Sequence, residues 1–171
     1  PIDIGDRALY VQRQGKSIRA MEYSNDRGSY LANDLTLLIP NLMKGKSIVD
    51  WCYAETPLSL LLVVLDDGSF LTMTYVPEQN VIAWTGPHWV AGSYQGGNAQ
   101  VVSCASIEGD TQDEIYFVVK RTINGQTKQY VEMLASRDFT SVSDAFFVDS
   151  GLSYSGSPVT TVRGLDHLVG Q

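Results

Sequence analysis

Basic charge, histidine and cysteine are all scarce in this chain, and each shortage removes a class of function. Twelve Lys and Arg stand against nineteen Asp and Glu, a formal net charge of −7. Affinity for a phosphate backbone comes largely from cations that release condensed counterions, so a chain this acidic is expected to repel nucleic acid. The only histidines are His88 and His167, and neither has an Asp, Glu, Ser or Cys at a spacing that builds a triad or a metal site. Cys52 and Cys104 are too few for a disulfide framework and lie in no Cys-x-x-Cys pattern. The expectation is two buried thiols in a protein assembled in a reducing compartment. Long apolar runs are missing as well. The longest, Leu60 to Leu65, is strand-sized, far short of the about eighteen residues that a membrane helix needs, so no membrane partner is expected.

Catalytic signatures are equally thin. Gly151-Leu152-Ser153-Tyr154-Ser155-Gly156 approaches a Gly-x-Ser-x-Gly nucleophile elbow, but its second glycine comes one place late and the strand-to-helix context is missing. Glu108, Asp110, Asp113 and Glu114 make an acidic stretch that misses the Asp-x-Asp-x-Asp-Gly calcium pattern, and it reads as a solvated approach to a hairpin. The loop from Gly92 to Asn98 is glycine-rich without the Gly-Lys that cradles phosphate. No catalytic residue, metal, cofactor or small-molecule substrate is expected.

What is present is a β pattern. A chain with 44% hydrophobic and 18% charged residues belongs to the globular class, and 171 residues suffice for one domain with an arm. Three segments, 8–23, 60–75 and 114–134, each read as strand, turn, strand. Their turns are Gln14-Gly15, Asp67-Gly68 and Asn124-Gly125, pairs suited to two-residue hairpins because they take up positive φ readily. The turn glycines fall 53 and then 57 residues apart, and Cys52 and Cys104 fall 52 apart. That near-constant period suggests repeated sheet units of three or four strands, as in propeller blades. The middle unit is the most complete, a four-stranded meander. Its second strand is apolar on both faces, as for a strand covered on two sides, and its fourth is shorter and more polar, as at an edge.

One stretch reads as helix. Asn33 or Asp34 can cap it, Leu35, Leu38, Ile39 and Leu42 share a face, and Gly45 follows, with Pro40 expected to shorten or kink it. The fold expectation is therefore all-β, mainly antiparallel with one short helix, and partial β-propeller-like. A repeat domain covers 1–138, with units at about 6–24, 47–90 and 99–136 and the helix at about 34–44. Residues 139–171 read as an extended Ser/Gly/Thr-rich arm leading to a further domain. The start at Pro1 suggests a piece of a longer polypeptide.

Aromatic residues offer one candidate surface. Trp51 and Trp84 sit inside strand-like segments and read as core. Trp89, before the glycine-rich loop, and Tyr94 within it are candidates for surface stacking, on sugar or on another subunit.

The ordered blocks LYVQRQGKSIRAMEYS, YLANDLTLLIPNLMKG, IVDWCYAETPLSLLLVVLDDGSFLTMTYVPEQNVIAWTGP, DEIYFVVKRTING, FVDSGLSYSG and GLDHL together resemble phage and prophage structural proteins. The likeness runs over nearly the whole chain, and is to the tail tubular or nozzle proteins of short-tailed bacteriophages. The resemblance implies propeller-like sheets and a ring of subunits below the portal through which DNA passes without specific binding. Its implied partners are copies of itself and neighbouring tail or portal-adaptor proteins, in a virion assembled in the bacterial host cytoplasm. It implies no catalysis. The alternative is a carbohydrate- or receptor-binding module of a phage tail.

Overall fold

A strand with two apolar faces demands cover on both sides, and the fold supplies it. The computed structural model describes residues 1–93, 97–148 and 150–168, which form three four-stranded antiparallel sheets. The first sheet holds β1 (Ile2–Ile4), β2 (Arg7–Val11), β3 (Ile18–Ser24) and β4 (Ser29–Asp34), in that order. The second holds β5 (Ile48–Ala54), β6 (Leu60–Leu65), β7 (Phe70–Val76) and β8 (Val81–His88). The third holds β9 (Val90–Ala91), β10 (Asn98–Ile107), β11 (Glu114–Ile123) and β12 (Gln126–Met133). Each is a simple meander. The remaining helical pieces are single 3-10 turns at Pro77–Gln79, Val142–Asp144 and Asp166–Leu168. Among the described residues no helix is long and apolar enough to cross a membrane.

The second sheet lies between the other two. Leu61, Val63 and Leu65 of β6, with Leu71, Met73 and Tyr75 of β7, pack against Leu9, Ile18 and Ala20 of the first sheet. Leu62 and Val64 point the opposite way and share a second core with Ala99, Val101, Ile115, Phe117 and Val119 of the third. Alternation along one strand thus feeds two cores. β8 is the edge strand expected, but at eight residues it is longer than its neighbours rather than shorter.

Residues 34–44 form no helix. β4 takes the chain to Asp34, whose carboxylate accepts bonds from the Thr36 amide (2.8 Å) and hydroxyl (2.7 Å). Consecutive turns follow, closed by Ile39 N–H to Thr36 O and Leu42 N–H to Ile39 O. Pro40 explains the outcome: it lacks an N–H and disfavours helical backbone at Ile39. Leu35 and Met43 still reach the first core, whereas Leu38, expected on the same face, is 90% exposed.

Only one of the three turns is the two-residue kind. Asn124 (φ 50°) and Gly125 (φ 73°) join the paired residues Ile123 and Gln126 directly. The turn at Asp67-Gly68 is longer because the Asp67 carboxylate binds the Ser69 amide and hydroxyl, leaving Gly68 at φ 83°. At Gln14-Gly15 the loop runs from Gln12 to Ser17, closed by Gln12 N–H to Ser17 O at 2.8 Å.

These turns join sheet to sheet. Gly15 O accepts the Ile48 amide at 2.8 Å, and Gly68 O accepts the Val101 amide at 2.9 Å. Both donor and acceptor advance by 53 residues. The ladders also shift between Ile48 and Asp50 in β5, and between Val101 and Ser103 in β10, again 53 apart. The cysteines, 52 apart, miss this period by one residue. On a strand a one-residue offset reverses the face. Trp51, the position equivalent to Cys104, packs on the first core, Cys104 packs on the second, and Cys52 faces Cys104's sheet from the other side.

The segment after β12 is anchored by Arg121, 1% exposed. Its guanidinium holds both Glu132 oxygens at 2.8 Å, the carbonyls of Ala91 and Gly92, and the Ser150 hydroxyl at 3.1 Å.

Glycine-to-alanine substitutions should rank Gly68, then Gly15, then Gly125. A Cβ at Gly68 would sit 2.7 Å from Gln100 Cβ, one at Gly15 3.2 Å from Ile48 O, and one at Gly125 in open space. All three carry the positive-φ penalty of about 1 kcal/mol, and overpacking raises Gly68→Ala to about 2–4 kcal/mol in urea unfolding. Arg121→Ala should cost about 3 kcal/mol, low for a broken buried pair because Glu132 keeps some solvent. It should also speed proteolysis within 139–168.

Candidate functional site

The 53-residue equivalence identifies the surfaces at which the stack of sheets stops. On the second sheet, Cys52, Leu62, Val64 and Phe70 face the third. Their counterparts on the third sheet, by register, are Ala105, Tyr116, Val118 and Val131. No described sheet covers them: Val131 is 73% exposed, and neighbouring Met133 and Val102 are exposed too. The Asn124-Gly125 turn, which occupies the place of Gly68, has open space around Gly125.

The opposite end carries the complementary half of the same interface. Leu61, Val63, Leu71, Met73 and Tyr75 of the second sheet receive the first. Their counterparts on the first sheet are Ala8, Tyr10, Arg19, Met21 and Tyr23. Met21 and Tyr23 keep the residue types of Met73 and Tyr75, yet lie exposed instead of buried. Tyr23 meets Tyr30 edge to face at a centroid distance of 5.2 Å, and Tyr30 is 69% exposed. The two rings border a shallow depression of about 330 Å³ with Asp3 and Met21. Aromatic and Met side chains on an open sheet are the composition of association surfaces.

The remaining candidates separate by burial. Trp51 and Trp84 pack against the first core, and Trp84 Nε1 donates to Leu35 O at 2.8 Å. Trp89 lies between β8 and β9, 39% exposed, with Lys46 Nζ 5.9 Å from its ring centre. Tyr94 lies outside the described residues, so no platform with Trp89 is described. The acidic stretch is partly structural: Asp113 accepts the amides of Glu55 (2.6 Å) and Thr56 (3.1 Å), and Glu114 accepts the Tyr116 hydroxyl. Among the described residues no group of His, Cys, Asp and Glu is placed to hold a metal. Residues 151–156 form no strand or helix, and the Tyr154 hydroxyl donates to Ser157 O.

The electrostatics centre on the edge of the second sheet. Lys46 Nζ lies 2.7 Å from Asp67 and 3.2 Å from Ser69 Oγ. Desolvation would raise the Asp67 carboxyl, but the bonds from Lys46 and Ser69 outweigh it and hold the group below its ordinary range. His88 moves down from 6.5 because of desolvation and then nearby Arg137. Its Nε2 lies 2.9 Å from Thr85 Oγ1 and its ring rests against Phe70.

The folded chain therefore disfavours protonated His88 more than the unfolded chain does. The stability from its neutral ring is present above pH 6.5, and is lost as pH falls through the lowered folded value. Thermal unfolding between pH 7 and 5 should show a decline that His88→Gln flattens; an unchanged slope in the variant would remove His88 as its cause.

Compared with known proteins, the chain matches no family model and no curated protein.

Proposed function

We propose that this chain is a structural component of a phage or prophage virion, acting in the tail tube or nozzle by self-assembly around a DNA channel, without catalysis. The observation that carries the reading is the interrupted stack. Two sheet-on-sheet junctions inside the chain use one device, the turn carbonyl bonded to the first long strand of the next sheet. Both ends present the unmatched halves of that junction, with apolar side chains exposed. Three sheets fall short of the four to eight that close a propeller, so the chain is read as part of one whose open faces are met by other sheets. Net charge of −7 suits a lumen that DNA traverses, because attraction between cations and phosphate would retard its passage. The family resemblance in the ordered sequence blocks points the same way, and neighbouring copies and tail or portal-adaptor proteins are the partners proposed.

The test is the mass and shape of the full-length gene product, by light scattering and negative-stain imaging. Closed rings with a central hole wide enough for duplex DNA are expected. Val131→Asp, which places a charge on the open face of the third sheet, should weaken association at least tenfold while circular dichroism stays unchanged. A protein that remains monomeric at high concentration and binds no tail component would overturn the proposal. Glycan binding abolished by Trp89→Ala would replace it with a carbohydrate-binding role.

A further inference from the structure

The one-residue mismatch between the cysteine spacing and the sheet period has a chemical result. Cys52, on β5, is buried in the core between the second and third sheets, and Cys104, on β10, packs against that same core from the other side. The two side chains belong to one contiguous core, and the strands that carry them, β5 and β10, pack against each other across it. The backbone fixes this meeting independently: the Cys104 amide donates to Asp50 Oδ2 at 3.0 Å, two residues before Cys52, and Asp50 Oδ1 accepts the Trp51 amide at 2.9 Å. The register shifts at Ile48/Asp50 and Val101/Ser103 lie just before the two cysteines in their strands. A shift of that kind re-aims the side chains that follow it.

From this geometry we infer that Cys52 and Cys104 form a modification site, a thiol pair that closes to an intrachain disulfide pinning the second sheet to the third on exchange with a low-molecular-weight disulfide. The inference is independent of the proposed role in a virion. The half-buried Cys104 thiolate attacks one sulfur of the small disulfide and expels the other as a thiolate. Cys52, deprotonated in turn, attacks the Cys104 sulfur of the mixed disulfide and expels the second small thiol. One S–S bond forms in the protein, one breaks in the reagent, and the two protein protons leave on the two small thiols. No other cysteine in the chain competes, since Cys52 and Cys104 are the only two. A zinc thiolate site is the rival use of such a pair, but among the described residues no third ligand joins them. The Cys52 thiol, burial and the Asp50 carboxylate all push the Cys104 thiol up. The attacking thiolate is therefore scarce, and closure is slower than at an exposed cysteine.

The experiment uses the reduced chain incubated at neutral pH with oxidised glutathione, then denatured and weighed intact. The expected product is a monomer lighter by two hydrogens, with no glutathione attached, whose digest contains one peptide linking Cys52 to Cys104. Its unfolding midpoint should rise by roughly 5–10 °C and return on adding dithiothreitol. Cys104→Ser should leave Cys52 a free thiol under the same treatment, with wild-type circular dichroism checking its fold. Retention of both thiols by the folded chain under conditions that oxidise the urea-unfolded chain would overturn the inference. So would a stable glutathione adduct that never closes, or disulfides formed only between chains.

Discussion

The structure depends on burying both faces of β6. Leu61, Val63 and Leu65 face one core, Leu62 and Val64 the other, and none of the five is more than 1% exposed. At about 1.5–3 kcal/mol for each fully buried side chain, the strand contributes on the order of 10 kcal/mol. Whole domains are stable by only about 5–15 kcal/mol. Uncovering either face would therefore remove a large share of the margin, and neither flanking sheet is an ornament to a self-sufficient middle one. The three sheets are one cooperative arrangement whose centre is set by six consecutive apolar residues.

Much of this was legible in the sequence, for a stated reason in each instance. The unbroken run in 60–65 declares a fully covered strand, whereas the run from Ile115 to Val119 is just as apolar and only the structure shows that alternate residues are buried. The glycine spacing between Gly15 and Gly68 declares the repeat, because only residues tolerant of positive φ serve at those turns. The cysteine spacing looked like the same signal and was not. Its single-residue difference from 53 lies within the scatter of loop lengths, yet on strands it exchanges one face for the other. The segment around Leu35 to Leu42 misled in another way. Apolar residues at helical spacing also suit a chain of turns that dips repeatedly into a core, and Pro40 decides between the two.

The surfaces were harder to read than the core. Trp51 and Trp84 were recognisable as packing residues from their place in strands, and Trp89 as a surface residue from its place at a junction. Nothing local distinguishes Val131 or Met21 from a core residue, because the counterpart of Met21 in the neighbouring unit, Met73, is buried and that of Val131, Phe70, packs against a core. Only counting the sheets reveals that no described sheet lies over them. Arg121 carried a usable signal that charge alone conceals. It shares the parity of Ile115, Phe117, Val119 and Ile123, which marks it as inward-facing. An inward arginine requires an anion and carbonyl acceptors, and Glu132 and the chain at Ala91 and Gly92 supply them.

Open ends of unlike shape impose a rule on any association between copies. The exposed face of the third sheet corresponds to the face the second sheet offers the third. The exposed face of the first corresponds to the face the second offers the first. Contact between such ends is heterologous, so it closes into a ring if the rotation between units sums to a full turn and otherwise continues as a filament. A net charge of −7 per chain works against indiscriminate stacking, since like charges repel beyond contact over about 8–10 Å at moderate salt. Apolar burial acts only once the faces meet. The long-range term therefore rejects loose encounters and the short-range term rewards matched ones, and in any association between copies the balance of the two decides whether exposed Val131, Met133, Tyr23 and Tyr30 make ordered contacts or aggregate.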